Sequence, residues 1–245
     1  MQKQMKKYLI ILASTLLING CQSENWGYSG DESPKHWGEL HKSYGLCSSG
    51  KNQSPINLTN FIESDLAAIE FNYGTLVSDI LNNGHTVQAN YAAGSSITLN
   101  GHSFDLKQFH FHTPSENHIN GKSYPMEAHL VHADKAGNLA VVAVMFEQGD
   151  ANSAMADLWK QIPKNVGDKH SLSSKVNVSN LLPENKDYYR FNGSLTTPPC
   201  TEGVVWLVMK KSVSVSKQQI ETFYNVMHHA NNRPVQAINA RPVLQ

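Results

Sequence analysis

Leu106-Lys107-Gln108-Phe109-His110-Phe111-His112 alternates in character, and a short partner, Glu127-Ala128-His129, follows it. In an extended strand successive side chains point to opposite faces. Gln108, His110 and His112 therefore share one face, and Phe109 and Phe111 take the other, which predicts a sheet covered on both sides. Glu127 and His129 are also two apart, so a second strand offers a carboxylate and an imidazole on one face. Three imidazoles from two strands make a tripod. Three neutral nitrogens leave the fourth tetrahedral position of Zn²⁺ open, the mark of a catalytic rather than a structural zinc site. Gln108 and Glu127 fall where such ligands need support. A ligating histidine donates its other ring N–H to a carbonyl or carboxylate, and that bond fixes its tautomer. A lone His-x-His is weak evidence for a metal; a third histidine, 17 residues beyond His112 and on a strand with a same-face glutamate, shifts the balance toward one.

Further short strands flank this pair. Ile69–Tyr73, Leu76–Leu81, Thr86–Tyr91, Ser96–Leu99, Ser103–His112, Pro125–Ala133, Ala140–Glu147, Tyr188–Asn192 and Val204–Met209 all have strand character. Asn82-Asn83-Gly84 makes a turn between two of them, with His85 directly after it at a strand start, and Ala136-Gly137-Asn138 makes another. Two helices are expected. One covers about Ala151–Gln161, capped by Asp150, with Ala154, Leu158 and Trp159 inward. The other follows the capping-box pattern Ser216-Lys217-Gln218-Gln219, with Ile220, Phe223, Tyr224 and Met227 as its core stripe. Residues 23–60 mix aromatics with turn formers and show no sustained period, as in a segment clamped onto a core by its rings. The fold is thus β-rich (α+β), with no internal repeat or linker after the leader, hence one domain over residues 22–245.

Residues 1–21 stand apart from that domain. Lys3, Lys6 and Lys7 precede the apolar run Tyr8–Ile18, which at 11 residues is too short to span a bilayer. This is the pattern of a secretory signal peptide. Leu17-Ile18-Asn19-Gly20-Cys21 resembles a bacterial lipobox, which would make Cys21 a lipidated N-terminus; Asn19 is uncommon there, so ordinary signal-peptidase cleavage nearby is the alternative. Export to the periplasm is an oxidising fate. If Cys21 carries lipid, Cys47 and Cys200 are left for each other; two separate buried thiols are the other reading. Beyond the leader, Lys and Arg number 17 against 20 Asp and Glu, a balance that offers nucleic acid no basic surface.

The order of further motifs carries a resemblance. Trp26-Gly27-Tyr28, Asn52-Gln53-Ser54-Pro55-Ile56-Asn57-Leu58, Asn82-Asn83-Gly84-His85, Phe109-His110-Phe111-His112, Glu127-Ala128-His129-Leu130-Val131-His132, Ser194-Leu195-Thr196-Thr197-Pro198-Pro199-Cys200 and Asn231-Asn232-Arg233-Pro234-Val235-Gln236 follow one another. Together they resemble the α-class carbonic anhydrases in their bacterial exported form, over about residues 25–244. The resemblance implies a central, mostly antiparallel twisted sheet of about ten strands with short peripheral helices. It implies reversible hydration of carbon dioxide to bicarbonate and a proton by zinc-bound hydroxide, with a histidine proton shuttle and a side esterase activity. On this likeness His110, His112 and His129 are the Zn²⁺ ligands, supported by Gln108 and Glu127. Thr196 orients the nucleophile and donates to the carboxylate of Glu116. Val131, Val141, Leu195, Val204 and Trp206 form the apolar wall for carbon dioxide, and Thr197 lies beside the product. His85 is the shuttle, with Tyr28 and Gln88 along the water route. The expected partners are the small-molecule substrate and, through Cys21, a membrane lipid; the chain is a monomer or homodimer.

The sequence departs from the family in places: Thr113-Pro114 replaces a common Trp-Gly pair, as in bacterial members, and Ala133-Asp134 follows His132 without an aromatic. Two rival readings exist. His110-x-His112-x-x-x-Glu116 also fits the first half of a cupin motif, with Glu116 as a ligand of iron or manganese, but no matching second half follows. A non-catalytic, anhydrase-like binding domain would lack one or more of the zinc histidines, and all three are present.

Overall fold

A computed structural model describes residues 25–172 and 176–245; the leader and Cys21 lie outside the described residues. The strands are β1 (Asn57–Leu58), β2 (Glu70–Tyr73), β3 (Val77–Asn82), β4 (Val87–Tyr91), β5 (Ser95–Leu99), β6 (His102–His112) and β7 (His118–Ile119). They continue as β8 (Met126–Ala133), β9 (Leu139–Gln148), β10 (Lys169–Ser171), β11 (Tyr188–Ser194), β12 (Glu202–Met209) and β13 (Val213–Val215). Among the described residues four α-helices accompany them: α1 (Trp37–Leu40), α2 (Leu46–Ser49), α3 (Ser153–Trp159) and α4 (Lys217–Met227).

One 11-stranded sheet dominates, in the order β10-β3-β4-β6-β8-β9-β12-β11, with β5 on β6, β2 on β5 and β13 on β9. Its ladders are antiparallel except where β9 meets β12 and β13. The expected β-rich, mostly antiparallel architecture is therefore present. Every strand expected from alternation is found within two residues of its bounds. The four strands not anticipated, β1, β7, β10 and β13, are two or three residues long, too short to show a period.

Both sheet faces are covered. Phe109, Phe111, Leu130, Val142, Val144 and Phe146 point into the larger core, closed by Trp159 of α3 and Phe223 of α4. Val141, Ala143, Met145, Val204, Trp206 and Val208 form the opposite core. Helix α3 corrects the sequence reading. Its cap is Asn152 rather than Asp150, its Oδ1 accepting from the Met155 N–H at 3.2 Å; Leu158, Trp159 and the partly buried Ala154 pack on the core as expected, and Met155 joins them. Asn152 is placed by a tertiary contact, since its N–H donates to Gln219 Oε1 at 2.8 Å. In α4 the capping box of Ser216 and Gln219 forms as expected, but Tyr224 is exposed and Gln219, Phe223 and Met227 are the buried stripe.

The N-terminal segment is held by its rings. The Trp37 indole N–H donates to the Gly27 and Glu32 carbonyls at 2.9 Å each, and Trp37 packs with Tyr44 against Cys47 and Cys200. Those cysteines are joined in a disulfide across a sequence separation of 153. Cross-linking so long a loop restricts the unfolded chain by about 4–5 kcal/mol in the chain-entropy account. Reduction of the mature protein should lower its Tm by roughly 10 °C or more on a calorimetric scan, and thiol titration before reduction should find neither cysteine free.

Candidate metal centre

Strand parity and register build the site. In the β6–β8 ladder His110 lies opposite His129, and His112 opposite Glu127. Directly paired residues have Cβ atoms about 4.5–5.5 Å apart, so the three rings converge. One nitrogen of each of His110, His112 and His129 falls within 4.8 Å of the others. The far nitrogens are all engaged. His110 Nδ1 bonds Gln108 Oε1 at 2.8 Å, His112 Nδ1 the Asn231 carbonyl at 2.7 Å, and His129 Nε2 Glu127 Oε1 at 2.9 Å. Each partner is an acceptor, so each of these ring nitrogens carries the hydrogen. The basic nitrogens left over are His110 Nε2, His112 Nε2 and His129 Nδ1. Burial keeps all three rings below the ordinary histidine range, and their mutual repulsion adds to this for His110 and His129.

The supports are themselves supported. Glu127 Oε2 accepts from the Glu116 and Asn117 main-chain N–H groups at 2.7 and 2.8 Å, and its Oε1 from Asn117 Nδ2 at 2.8 Å. Glu116 is fully buried, and its Oε1 accepts from the Arg233 N–H at 2.8 Å. Its Oε2 lies 3.5 Å from His112 Nε2 and 3.8 Å from His129 Nδ1. Burial pushes the Glu116 carboxyl up to about 8, while the Arg233 N–H and the Thr196 side chain beside it pull the other way. The Arg233 guanidinium, also buried, donates to Gln53 Oε1 and to the Ser54 and Cys47 carbonyls at 2.8–2.9 Å.

Thr196 is buried on the loop that leaves β11. Ser54 and Ser194 lock that loop reciprocally: the Ser54 N–H donates to Ser194 Oγ at 2.9 Å and the Ser194 N–H to Ser54 Oγ at 3.0 Å. Gly193 permits this approach, since a Cβ there would stand 2.1 Å from Ser54 Oγ. Val141 and Trp206 are buried neighbours in the β9–β12 ladder, Val131 lies opposite Val141, and the Trp206 ring meets the His129 ring edge-on at 4.9 Å. Val204 and Leu195 pack in the same cluster, and Thr197 follows Thr196 on the loop.

His85 sits two residues before β4 rather than at its start, and its ring stacks on Trp26 at 3.7 Å with planes 9° apart. Burial lowers its pKa, the charge of His229 lowers it further, and Glu32 opposes both. Burial, then Glu116, pushes the Tyr28 hydroxyl well above its ordinary value. Gln88 lies opposite His110 in the β4–β6 ladder and donates through Nε2 to Asn90 Oδ1 at 2.7 Å. His132 faces away, as its parity requires: its ring bonds the Tyr73 hydroxyl at 2.9 Å inside the larger core.

A family model described as eukaryotic-type carbonic anhydrase matches residues 32–245. The chain belongs to the α-carbonic anhydrase family. A carbonic anhydrase from Neisseria gonorrhoeae is 48% identical over 97% of this chain and 95% of its own length. One from Pectobacterium atrosepticum is 43% identical, with 96% of each chain covered. Among solved structures, the α-carbonic anhydrase of Thermovibrio ammonificans, in complex with the inhibitor sulfanilamide, superposes with a TM-score of 0.89 at 46% identity, covering 90% of this chain and 99% of that one. The protein is thus a carbonic anhydrase enzyme, and hydration of carbon dioxide is its reaction. The cupin and non-catalytic readings fall with this assignment. Carbonic anhydrases of the α class are zinc enzymes, and the three-histidine cluster is the candidate zinc site of this one.

Three residues of the centre escaped the sequence reading. Asn231 orients His112, Arg233 holds Glu116, and Asn117 holds Glu127. Asn231 and Arg233 stand in the quoted Asn231–Gln236 motif, but their contacts run through main-chain atoms, which no side-chain pattern announces.

Proposed function

We propose that this carbonic anhydrase works with Zn²⁺ held by His110 Nε2, His112 Nε2 and His129 Nδ1, with Gln108, Glu127 and the Asn231 carbonyl fixing the three tautomers. The observation that carries this is the pairing of every outer ring nitrogen with an acceptor, which turns three bare nitrogens toward one point. A second observation fits it. His112 Nε2 and Glu116 Oε2 are buried, face each other and have no hydrogen-bond partner. Two lone pairs in that position are costly alone and favourable beside a cation. Zinc bound there lowers the pKa of a coordinated water toward neutrality, chemistry for which carbonic anhydrase is the reference case.

The chain's own residues do the rest. Glu116, ionised beside a bound cation, would accept the Thr196 O–H. With its proton committed, Thr196 can only accept, so it selects and orients a ligand that bears a proton. The Thr196 main-chain N–H meets charge developing on the product, with Thr197 beside it. Val131, Val141, Leu195, Val204 and Trp206 supply an apolar slot, which suits a substrate without a net dipole. The same slot and nucleophile would accept activated esters, the basis of the side esterase activity. Each hydration releases one proton, and His85 receives it along a route lined by Tyr28 and Gln88. Residues 1–21 are read as the export signal, with a lipid anchor at Cys21; the disulfide between Cys47 and Cys200 is compatible with a periplasmic home.

Metal analysis of the mature protein should return one zinc per chain. His85→Ala should lower kcat in dilute buffer by about 10- to 100-fold and leave kcat/KM for carbon dioxide nearly intact, because carbon dioxide reacts before the proton leaves. High concentrations of imidazole should restore kcat. An unchanged kcat in weak buffer would reduce His85 to a surface histidine.

A further inference from the structure

We infer that His229 is a second imidazole in the proton route, receiving protons from His85 and passing them to solvent. The inference rests on His85 being the shuttle. The two rings flank one aromatic platform. His85 stacks on Trp26, the Trp26 ring meets Tyr28 at 5.7 Å, and the Tyr28 ring lies 5.9 Å from that of His229. The backbone ties the same segments together, since Asn231 Nδ2 donates to the His85 carbonyl at 3.1 Å and His229 is two residues from Asn231.

The end of α4 places His229 there. His228 takes the left-handed conformation (φ 61°) at the helix C-cap, its N–H bonding the Tyr224 carbonyl. The chain thereby turns back toward β6, where the Asn231 carbonyl meets His112. His229 is therefore positioned by the segment that orients a ring of the metal centre. Its tautomer is set as well. Nδ1 bonds the Ala230 carbonyl at 2.9 Å and so carries the hydrogen, which leaves Nε2 as the basic nitrogen. The ring is half-exposed, so Nε2 can discharge to buffer.

The surrounding charges suit a handover. Glu32, on the N-terminal segment, favours a proton on His85, and a charged His229 disfavours one. Tyr28 stays neutral, its hydroxyl held far above the working range. Trp26 offers its π-face to the imidazolium form of His85. In the transfer an N–H bond of protonated His85 breaks and one forms at His229 Nε2, directly or through water. The same Nε2–H proton then passes to buffer, which returns both rings to neutrality. A lone shuttle must discharge before the next turnover; a second base beside it shortens that wait.

The test sets His229→Ala, His85→Ala and the double variant in one stopped-flow hydration assay, in dilute buffer. His229→Ala should lower kcat by about three- to tenfold with kcat/KM and zinc content unchanged, and added imidazole should restore it. The pH profile of kcat should shift upward, since a neighbouring positive charge is removed. A relay in series further requires the double variant to be no slower than His85→Ala. The inference is overturned by a kcat for His229→Ala within twofold of the parent, by a joint fall of kcat and kcat/KM, or by a double variant slower than His85→Ala by the same factor. If His85→Ala itself has the parent's kcat, the shuttle assignment fails first, and the relay with it.

Discussion

His112→Ala should purify with less than a tenth of the parent's zinc and lose at least about 10⁴-fold in kcat/KM. His112 is almost wholly buried, with Nδ1 on the Asn231 carbonyl and Nε2 beside His129 and Glu116. Removing that ring takes away one of the three proposed ligands and leaves only the Asn231 carbonyl, Glu116 Oε2 and the two remaining imidazoles around the space it filled. The loss should exceed that from any support residue, because removing a partner such as Gln108 or Glu127 typically costs only 10- to 100-fold in metal affinity. His102→Ala serves as the control. His102 is exposed and bonds Asp134 at 2.9 Å, so its loss should leave zinc and turnover unchanged. Full zinc content in His112→Ala, read by metal analysis, would place the metal elsewhere.

Thr196→Ala should separate orientation from metal binding. The variant keeps the three rings and their partners, so zinc should remain stoichiometric. What goes is a hydroxyl held beside Glu116 by a loop locked through Ser54 and Ser194. A preorganised polar contact of this kind is worth about 10²–10³ in rate. The fall should appear in kcat/KM, since the contact acts on the carbon dioxide step, and Thr196→Ser should recover most of it. Near-parental activity in Thr196→Ala with full zinc would remove Thr196 and Glu116 from the mechanism.

The site was partly legible because some of its geometry is local. Gln108, His110 and His112 share a face through a two-residue period that needs no knowledge of the rest of the chain, and Glu127 with His129 repeats it. Phe109 and Phe111 declared the covered far side by the same rule. Helix boundaries were less legible. Asp150 and Asn152 are both competent caps, and the choice fell to Asn152 because Gln219, far along the chain, takes its N–H. Tyr224 has the spacing of a core residue, yet among the described residues its ring remains exposed.

By itself, then, the sequence determined the β-rich class, the convergence of two strands bearing three imidazoles, and the two side chains that orient His110 and His129, since each follows from parity within one strand. Tertiary structure decided how those strands register, placing His110 opposite His129. It also decided what completes the centre. His112 is oriented by a carbonyl 119 residues away, and Glu116 is held by an N–H 117 residues away. Nearly every residue has such main-chain groups, so composition and spacing cannot distinguish the two that matter. Only the path of the chain after α4, turned at His228, brings them to the metal centre.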